Sequence, residues 1–301
     1  MEHINRYILL TFDVEDWFQV ENFKGYIPFS SWSSCELRVE RNTHEILDLL
    51  DSFSFSPKAT FFVMGWIAQK LPHLVREIQT RGHEVASHGF NHHLCTKLSN
   101  LNLFNDVEQS KKLLEDIIGR PVIGYRAPSF AINNDTLRVI MDAGYRYDSS
   151  YNSFGMHGRY GRIELPERVQ QSQLYRVIPD FSNSCDSHYQ DSPDFYEIPI
   201  SNLSLGKRVF PLGGGGYFRL IPFPLFRTGM KMVLSRQDAF VFYSHPWEFD
   251  PLQPRVNQAS AGFKFRHYTN LHRTRKKMTA LIASFSDVQF LSCSDYIATI
   301  L

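Results

Sequence analysis

The stretch Ile8-Leu9-Leu10-Thr11-Phe12-Asp13-Val14-Glu15-Asp16-Trp17 starts with five residues suited to a protein interior and ends with three carboxylates in four positions. A short apolar run of this kind, with β-branched and aromatic members, reads as a buried strand over Ile8–Phe12 that ends at Asp13. Crowded carboxylates repel one another unless a cation or a base neutralises them. If strand alternation continues, Asp13 and Glu15 lie on one side of the chain. Taken alone, the acids fit a solvated helix cap as well as a functional site.

Outward from this strand the pattern alternates. Helical spacing covers Arg41–Leu50, Trp66–Thr80 with Gly82 as its stop, Asn102–Ile118 ended by Gly119 and Pro121, Asn134–Ala143 stopped by Gly144, and Leu271–Phe285. Strands are expected at Ala59–Val63, His83–Ser87, Val122–Arg126, Tyr145–Ser149, Tyr196–Ser201 and Ala239–Ser244. Strand-then-helix alternation predicts an α/β protein with a mostly parallel sheet and helices outside. About seven strands suggest a distorted (β/α) barrel, closed or nearly closed. The polar stretch from Gly155 to Pro193 reads as long loops, placed over a site. Gly213-Gly214-Gly215-Gly216 lacks the Lys-Ser/Thr of a phosphate loop, leaving a flexible turn or a loop that approaches a ligand closely.

The chain has 301 residues, 43% hydrophobic and 21% charged, which excludes wholesale disorder and allows an ordinary core. Lys and Arg exceed Asp and Glu by one, so no global field favours nucleic acid or anionic lipid. Aromatic residues reach 14%; they suit sugar stacking, although core filling is their ordinary use. Cys35, Cys95, Cys185 and Cys293 are far apart and form no CxxC pair, which points to reduced structural thiols. The first residues lack a signal-peptide pattern and no stretch has transmembrane length, so a cytoplasmic location is expected. Nothing in the pattern specifies an oligomeric state.

Three further polar clusters follow expected strands. Ser87-His88-Gly89-Phe90-Asn91-His92 places two histidines four apart, able to meet one metal from a helix turn or from a loop closing back. Two histidines and one carboxylate leave coordination positions open, as catalysis requires. Arg126, in Tyr125-Arg126-Ala127-Pro128, cannot lose its charge at the end of a buried strand and needs an anion, for which Asp13 is the candidate. Ser244-His245-Pro246-Trp247-Glu248 puts a histidine after an apolar strand, a position suited to a general acid.

In their order, carboxylates, His-x-x-x-His, Arg-x-Pro and a late strand ending in His, these clusters resemble the polysaccharide deacetylases of the chitooligosaccharide-deacetylase homology group, carbohydrate esterase family 4. The resemblance covers Ile8 to about Tyr151 and resumes from Tyr196 to Pro251. Phe12-Asp13-Val14-Glu15-Asp16-Trp17-Phe18, Gly214-Gly215-Gly216-Tyr217-Phe218-Arg219, His245-Pro246-Trp247-Glu248 and Arg266-His267-Tyr268 look like the branch found with bacterial exopolysaccharide and exosortase loci. That branch carries a C-terminal extension, here about 205–301. The whole of 1–301 is then one deacetylase domain with its catalytic core at about 8–251.

The resemblance implies an N-acetylated carbohydrate substrate and a divalent metal, Zn²⁺ first, with Co²⁺ or Mn²⁺ as alternatives. It implies Asp13 as catalytic base, His88 and His92 as metal ligands, Arg126 as the residue orienting the base, and His245 as catalytic acid. The family's usual pair of adjacent aspartates is broken by Val14. Glu15, on the same strand face as Asp13, ranks first as third ligand and Asp16 second. Glu197 is a candidate for the acid that tunes the catalytic histidine. Rival expectations are a cyclic amide or imide hydrolase of the same fold and a non-catalytic carbohydrate-binding protein.

Overall fold

A computed structural model describes residues 5–154, 160–163, 165, 167–170, 172–177, 194–206 and 208–301. Strand β1 (Tyr7–Val14) is buried along its whole length, and its alternation separates two apolar layers. Ile8, Leu10, Phe12 and Val14 face the layer between sheet and helices, whereas Tyr7 and Leu9 face the inside of the curl. Thr11 and Asp13 share the inward parity, which is how an apolar strand delivers a carboxylate into a cavity.

The sheet continues with β2 (Ala59–Val63), β3 (Glu84–Ser87), β4 (Gly124–Tyr125), β5 (Tyr147–Asp148), the short β6 (Glu167–Arg168) and β7 (Tyr175–Val177), and β8 (Phe195–Glu197). A hairpin, β9 (Asn202–Leu205) and β10 (Arg208–Pro211), stands apart from it, and β11 (Ala239–Ser244) and β12 (Gln289–Phe290) return to β1. The order is β11-β1-β2-β3-β4-β5-β8-β7-β6, with β12 also pairing with β1. From β11 through β8 every pairing is parallel, giving the seven expected parallel strands. The expected closure is looser than a ladder. Between β8 and β11 the seam is carried by the Ser201 amide donating to the Val241 carbonyl at 3.3 Å and the Tyr243 amide donating to the Gly213 carbonyl at 2.7 Å.

Helices α1 (Val39–Asp51), α2 (Gly65–Lys70), α3 (Pro72–Thr80), α4 (Asn100–Ile118) and α5 (Asn134–Asp142) flank the first five strands. The single helix expected over Trp66–Thr80 is two, because Pro72 has no amide hydrogen to continue a helix and instead occupies the first turn of α3. Next come α6 (Gly215–Leu220), α7 (Phe223–Leu234), α8 (Ala261–Tyr268), α9 (Thr274–Ala283) and α10 (Cys293–Ile300). The helix expected over Leu271–Phe285 starts as a tight turn at Leu271–Arg273, preceded by Asn270 in a left-handed conformation. The stretch read as loops from Gly155 to Pro193 contains β6 and β7, which pair antiparallel; the rest of it lies largely outside the described residues, Cys185 included. Cys35, Cys95 and Cys293 are free thiols. Among the described residues no helix is long and apolar enough to cross a membrane.

Of the four glycines at Gly213–Gly216, Gly213, Gly214 and Gly215 serve close packing rather than a loose turn, whereas a Cβ on Gly216 would meet nothing within 4 Å. A Cβ on Gly215 would stand 2.2 Å from Glu248 Oε1, and one on Gly213 would stand 2.6 Å from the Ser201 carbonyl. Only glycine lets α6 start this close to the end of β11.

Candidate active site

Asp13, Glu15, His88, His92, Arg126 and His245 meet at the C-terminal ends of the parallel strands, and Asp16 and Glu197 do not join them. Asp13 and Glu15 end β1, His88 follows β3, Arg126 follows β4, and His245 follows β11 on the inward parity of Val241 and Tyr243. Asp13, Glu15, His88, His92 and His245 line a cavity of about 630 Å³ that is also lined by aromatic side chains, among them Phe130, Tyr217 and Tyr243. This is within the usual size of a small-ligand site.

Arg126 is fully buried and every arm of its guanidinium is used. Nη1 donates to Asp13 Oδ1 at 2.8 Å and to Thr11 Oγ1 at 2.7 Å, Nε to the Ser149 carbonyl at 2.8 Å, and Nη2 to Ser149 Oγ at 2.9 Å. The Phe62 ring lies 4.1 Å beneath its Cζ. A charge so surrounded cannot move, so it fixes the position of Asp13, with one oxygen held and the other, Oδ2, directed toward His245 Nε2 at 3.8 Å.

Glu15, His88 and His92 form the group suited to a metal: each offers a ligand atom, and these atoms lie within 4.8 Å of one another. Glu15 Oε2 is 2.8 Å from His92 Nε2, yet it is buried without a hydrogen-bond partner. Two acceptor-capable atoms held close but misaligned for donation is the disposition of two ligands facing a shared cation. The His88 Nδ1–H donates to the Arg126 carbonyl at 2.8 Å, which fixes the tautomer with a lone pair on Nε2. His92 reaches the group from a loop, not a helix, with φ of 55°, a strained conformation for a side chain of its size. The residues present therefore fit a divalent ion.

Electrostatics agree with that disposition. Burial alone would raise the Glu15 carboxyl, but His92, His245 and His88 together hold it well below the ordinary carboxylate range. Burial lowers His88 to about 4, against the opposing pull of Asp13.

Asp16, second choice as third ligand, is not part of the group. Strand parity turns it to the opposite side, where Oδ1 accepts from the Trp17 amide at 2.8 Å and Oδ2 from the amides of Arg38 at 2.7 Å and Val39 at 2.9 Å. It thus supplies a carboxylate to the otherwise unpaired first amides of α1. Asp16→Ala should leave metal binding intact and destabilise the fold by about 1–3 kcal/mol, the cost of stranding buried amides. Thermal unfolding alongside metal content checks both halves of that statement.

Glu197 is also elsewhere. It accepts from the amides of Ser150 at 3.1 Å and Tyr151 at 2.8 Å and faces Asp148; burial and that neighbouring carboxylate push its own carboxyl well upward. The acid beside His245 is Glu248. Its Oε1 accepts from His245 Nδ1 at 2.9 Å and from Ser244 Oγ at 3.1 Å, while Oε2 accepts from Arg219 Nε at 2.7 Å. Burial would lower His245, but Glu15, Glu248 and Asp13 raise it to about 9. The sequence signal was present in His245-Pro246-Trp247-Glu248, because a tight turn at Pro246–Phe249 brings the fourth residue back onto the first.

The fold and this site define the class. The structure is similar to that of a protein of Mycobacterium smegmatis assigned to the polysaccharide deacetylases, with a TM-score of 0.61, 98% of this chain and 90% of that chain covered, and 18% identity. At that identity the likeness concerns the fold. Residues 2–147 match the polysaccharide deacetylase family, and residues 149–298 match a domain of unknown function, DUF3473. Among curated relatives, the peptidoglycan-N-acetylglucosamine deacetylase of Bacillus cereus is 34% identical over 104 residues, 35% of this chain and 47% of that protein. A peptidoglycan deacetylase-like protein of Gibberella zeae is 30% identical over 158 residues, 52% of this chain and 44% of that protein. The chain thus spans somewhat under half the length of these relatives.

The boundary at residue 148 falls inside the site. Asp13, Glu15, His88, His92 and Arg126 come from the deacetylase segment, whereas Arg219, His245, Trp247 and Glu248 come from the DUF3473 segment.

Proposed function

We propose that this chain is a metal-dependent hydrolase that removes N-acetyl groups from a carbohydrate polymer, with both matched segments acting as one catalytic unit. The observation that carries the reading is the convergence on one cavity of a carboxylate held by Arg126, a Glu15–His88–His92 group and a histidine held by Glu248. Glu15, His88 and His92 would hold the ion, which supplies Lewis-acid activation of water and of the acetyl carbonyl. Zn²⁺ suits two histidines and a carboxylate, and Co²⁺ and Mn²⁺ accept the same ligands. Asp13, oriented by Arg126, takes the proton from the attacking water. His245, kept protonated by the carboxylates around it, gives a proton to the departing sugar amine, leaving acetate and a free amino sugar. The aromatic lining suits the faces of sugar rings. The resemblance to the exopolysaccharide-associated branch favours a bacterial exopolysaccharide.

Acetate release from a panel of N-acetylated oligosaccharides tests the activity, with ring opening of a cyclic imide as the competing assay. Release is expected from the oligosaccharides, lost with a chelator and restored by Zn²⁺. Imide opening without acetate release would overturn the reading.

The role of His245 has its own test. His245→Ala should slow hydrolysis of an N-acetyl sugar by roughly 10²-fold or more, because an amine leaves poorly without a proton. The same variant should cost little on an activated aryl acetate, whose leaving group needs none. Equal losses on both substrates would make His245 a structural residue.

A further inference from the structure

The histidine, carboxylate and arginine roles above leave one polar contact to the candidate metal group unused. Trp247 Nε1 donates to Glu15 Oε1 at 3.1 Å, across a sequence separation of 232 residues. The indole is held in place from all sides. The His267 ring stacks on it at 4.1 Å and 12°, and the His245 ring lies stacked at 5.0 Å and 19°. The Trp247 carbonyl accepts from Gln253 Nε2 at 2.7 Å, and Gln253 Oε1 in turn meets His267 Nε2 at 2.6 Å. Arg219, besides holding Glu248, donates to the carbonyls of His267 at 3.1 Å and Thr269 at 2.5 Å, which anchors the end of α8 where His267 sits.

Resting on the metal reading given above, we infer that Trp247 is a positioning residue for the metal carboxylate. Its N–H occupies Oε1 of Glu15, so that Oε2, the oxygen without a hydrogen bond, is the one presented to the cation. Glu15 stands beyond the last residue of β1, where the ladder no longer fixes the chain. In the deacetylase segment the described partners of the Glu15 side chain are His88 and His92, the latter on Oε2; the contacts to Oε1, from the indole N–H and from His245 Nε2 at 3.5 Å, both come from the DUF3473 segment. That segment therefore sets metal affinity as well as supplying the acid.

The test uses the full chain and Zn²⁺ in competition with a chromophoric chelator. Trp247→Phe keeps an aromatic ring between the two histidines and removes only the N–H. It should weaken Zn²⁺ binding about 10–100-fold, the usual cost of losing a hydrogen bond that orients a ligand. Trp32→Phe, which alters a buried indole whose Nε1 has no hydrogen-bond partner, should leave affinity unchanged. Equal affinity in Trp247→Phe and the natural chain overturns the inference while leaving the metal reading in place, and an equal loss in Trp32→Phe overturns it too. Absence of Zn²⁺ binding by the natural chain overturns the metal reading itself. Should Trp247→Phe fail to fold, the four tryptophans offer a second readout in the natural chain. Zn²⁺ should shift the indole N–H resonance of one tryptophan, and that shift should vanish in Glu15→Ala; no shift in the natural chain overturns the inference.

Discussion

His88→Ala and His92→Ala are each expected to lose bound metal and turnover together. The two side chains supply two of the three ligand atoms gathered within 4.8 Å. A two-ligand remnant holds a divalent ion poorly, and without the ion neither water nor carbonyl is activated. The variants should still fold, because both residues lie beyond the strand ends rather than within the apolar core, so helical circular dichroism should persist. Metal analysis of purified protein, set beside acetate release, reads the outcome. Full occupancy with full turnover in either variant would show that the ion, if bound, lies elsewhere. Glu15→Ala should follow the histidines, in contrast with Asp16→Ala.

Asp13→Asn should separate chemistry from metal. The amide matches the carboxylate in shape but cannot take a proton, so occupancy should stay near that of the natural chain while turnover falls by roughly 10²–10⁴. Arg126 sharpens the assignment. Its guanidinium touches Asp13 and no metal ligand, and the carbonyl that holds His88 is unchanged by substitution, so Arg126→Lys should also retain metal, yet it replaces a planar fork serving four acceptors with a single ammonium. Turnover should drop on N-acetyl sugars and aryl acetates alike, because water must be activated for both. Natural turnover in Asp13→Asn would remove it from the mechanism.

Those residues were readable in the chain because each follows a strand whose composition is unambiguous. Ala59–Val63 and Ala239–Ser244 are expected and observed with the same bounds, and the acids of β1 fall on the side that period-two alternation dictates. Alternation also separates Glu15 from Asp16, although only the structure shows what Asp16 does instead, since its partners at Arg38 and Val39 come from a distant turn. Glu248 was quoted within its motif but not assigned, because its meaning depends on Arg219 in α6 and on a turn geometry that residue types do not announce. The antiparallel β6 and β7 were equally hidden: strands of two and three residues leave too short a pattern to recognise. The break at Pro72 was legible in principle, and the helical spacing on both sides masked it.

The position of β1 in the sheet also has a consequence in time. The strand that carries the acids is made first, yet one of its flanks is β11, with the Thr11 hydroxyl donating to the carbonyl of Phe242 at a separation of 231 residues. During synthesis, β1 and β2 can pair early while the other edge of β1 waits, apolar and unfilled, for most of the chain to emerge. Contacts this remote in sequence are slow to form, and an open edge invites pairing with another copy. The same delay has a protective side. Arg219, His245 and Glu248 arrive with β11 and its neighbours, so a chain not yet extended that far has no acid to complete hydrolysis, and catalytic competence is reached only when β11 seals the sheet.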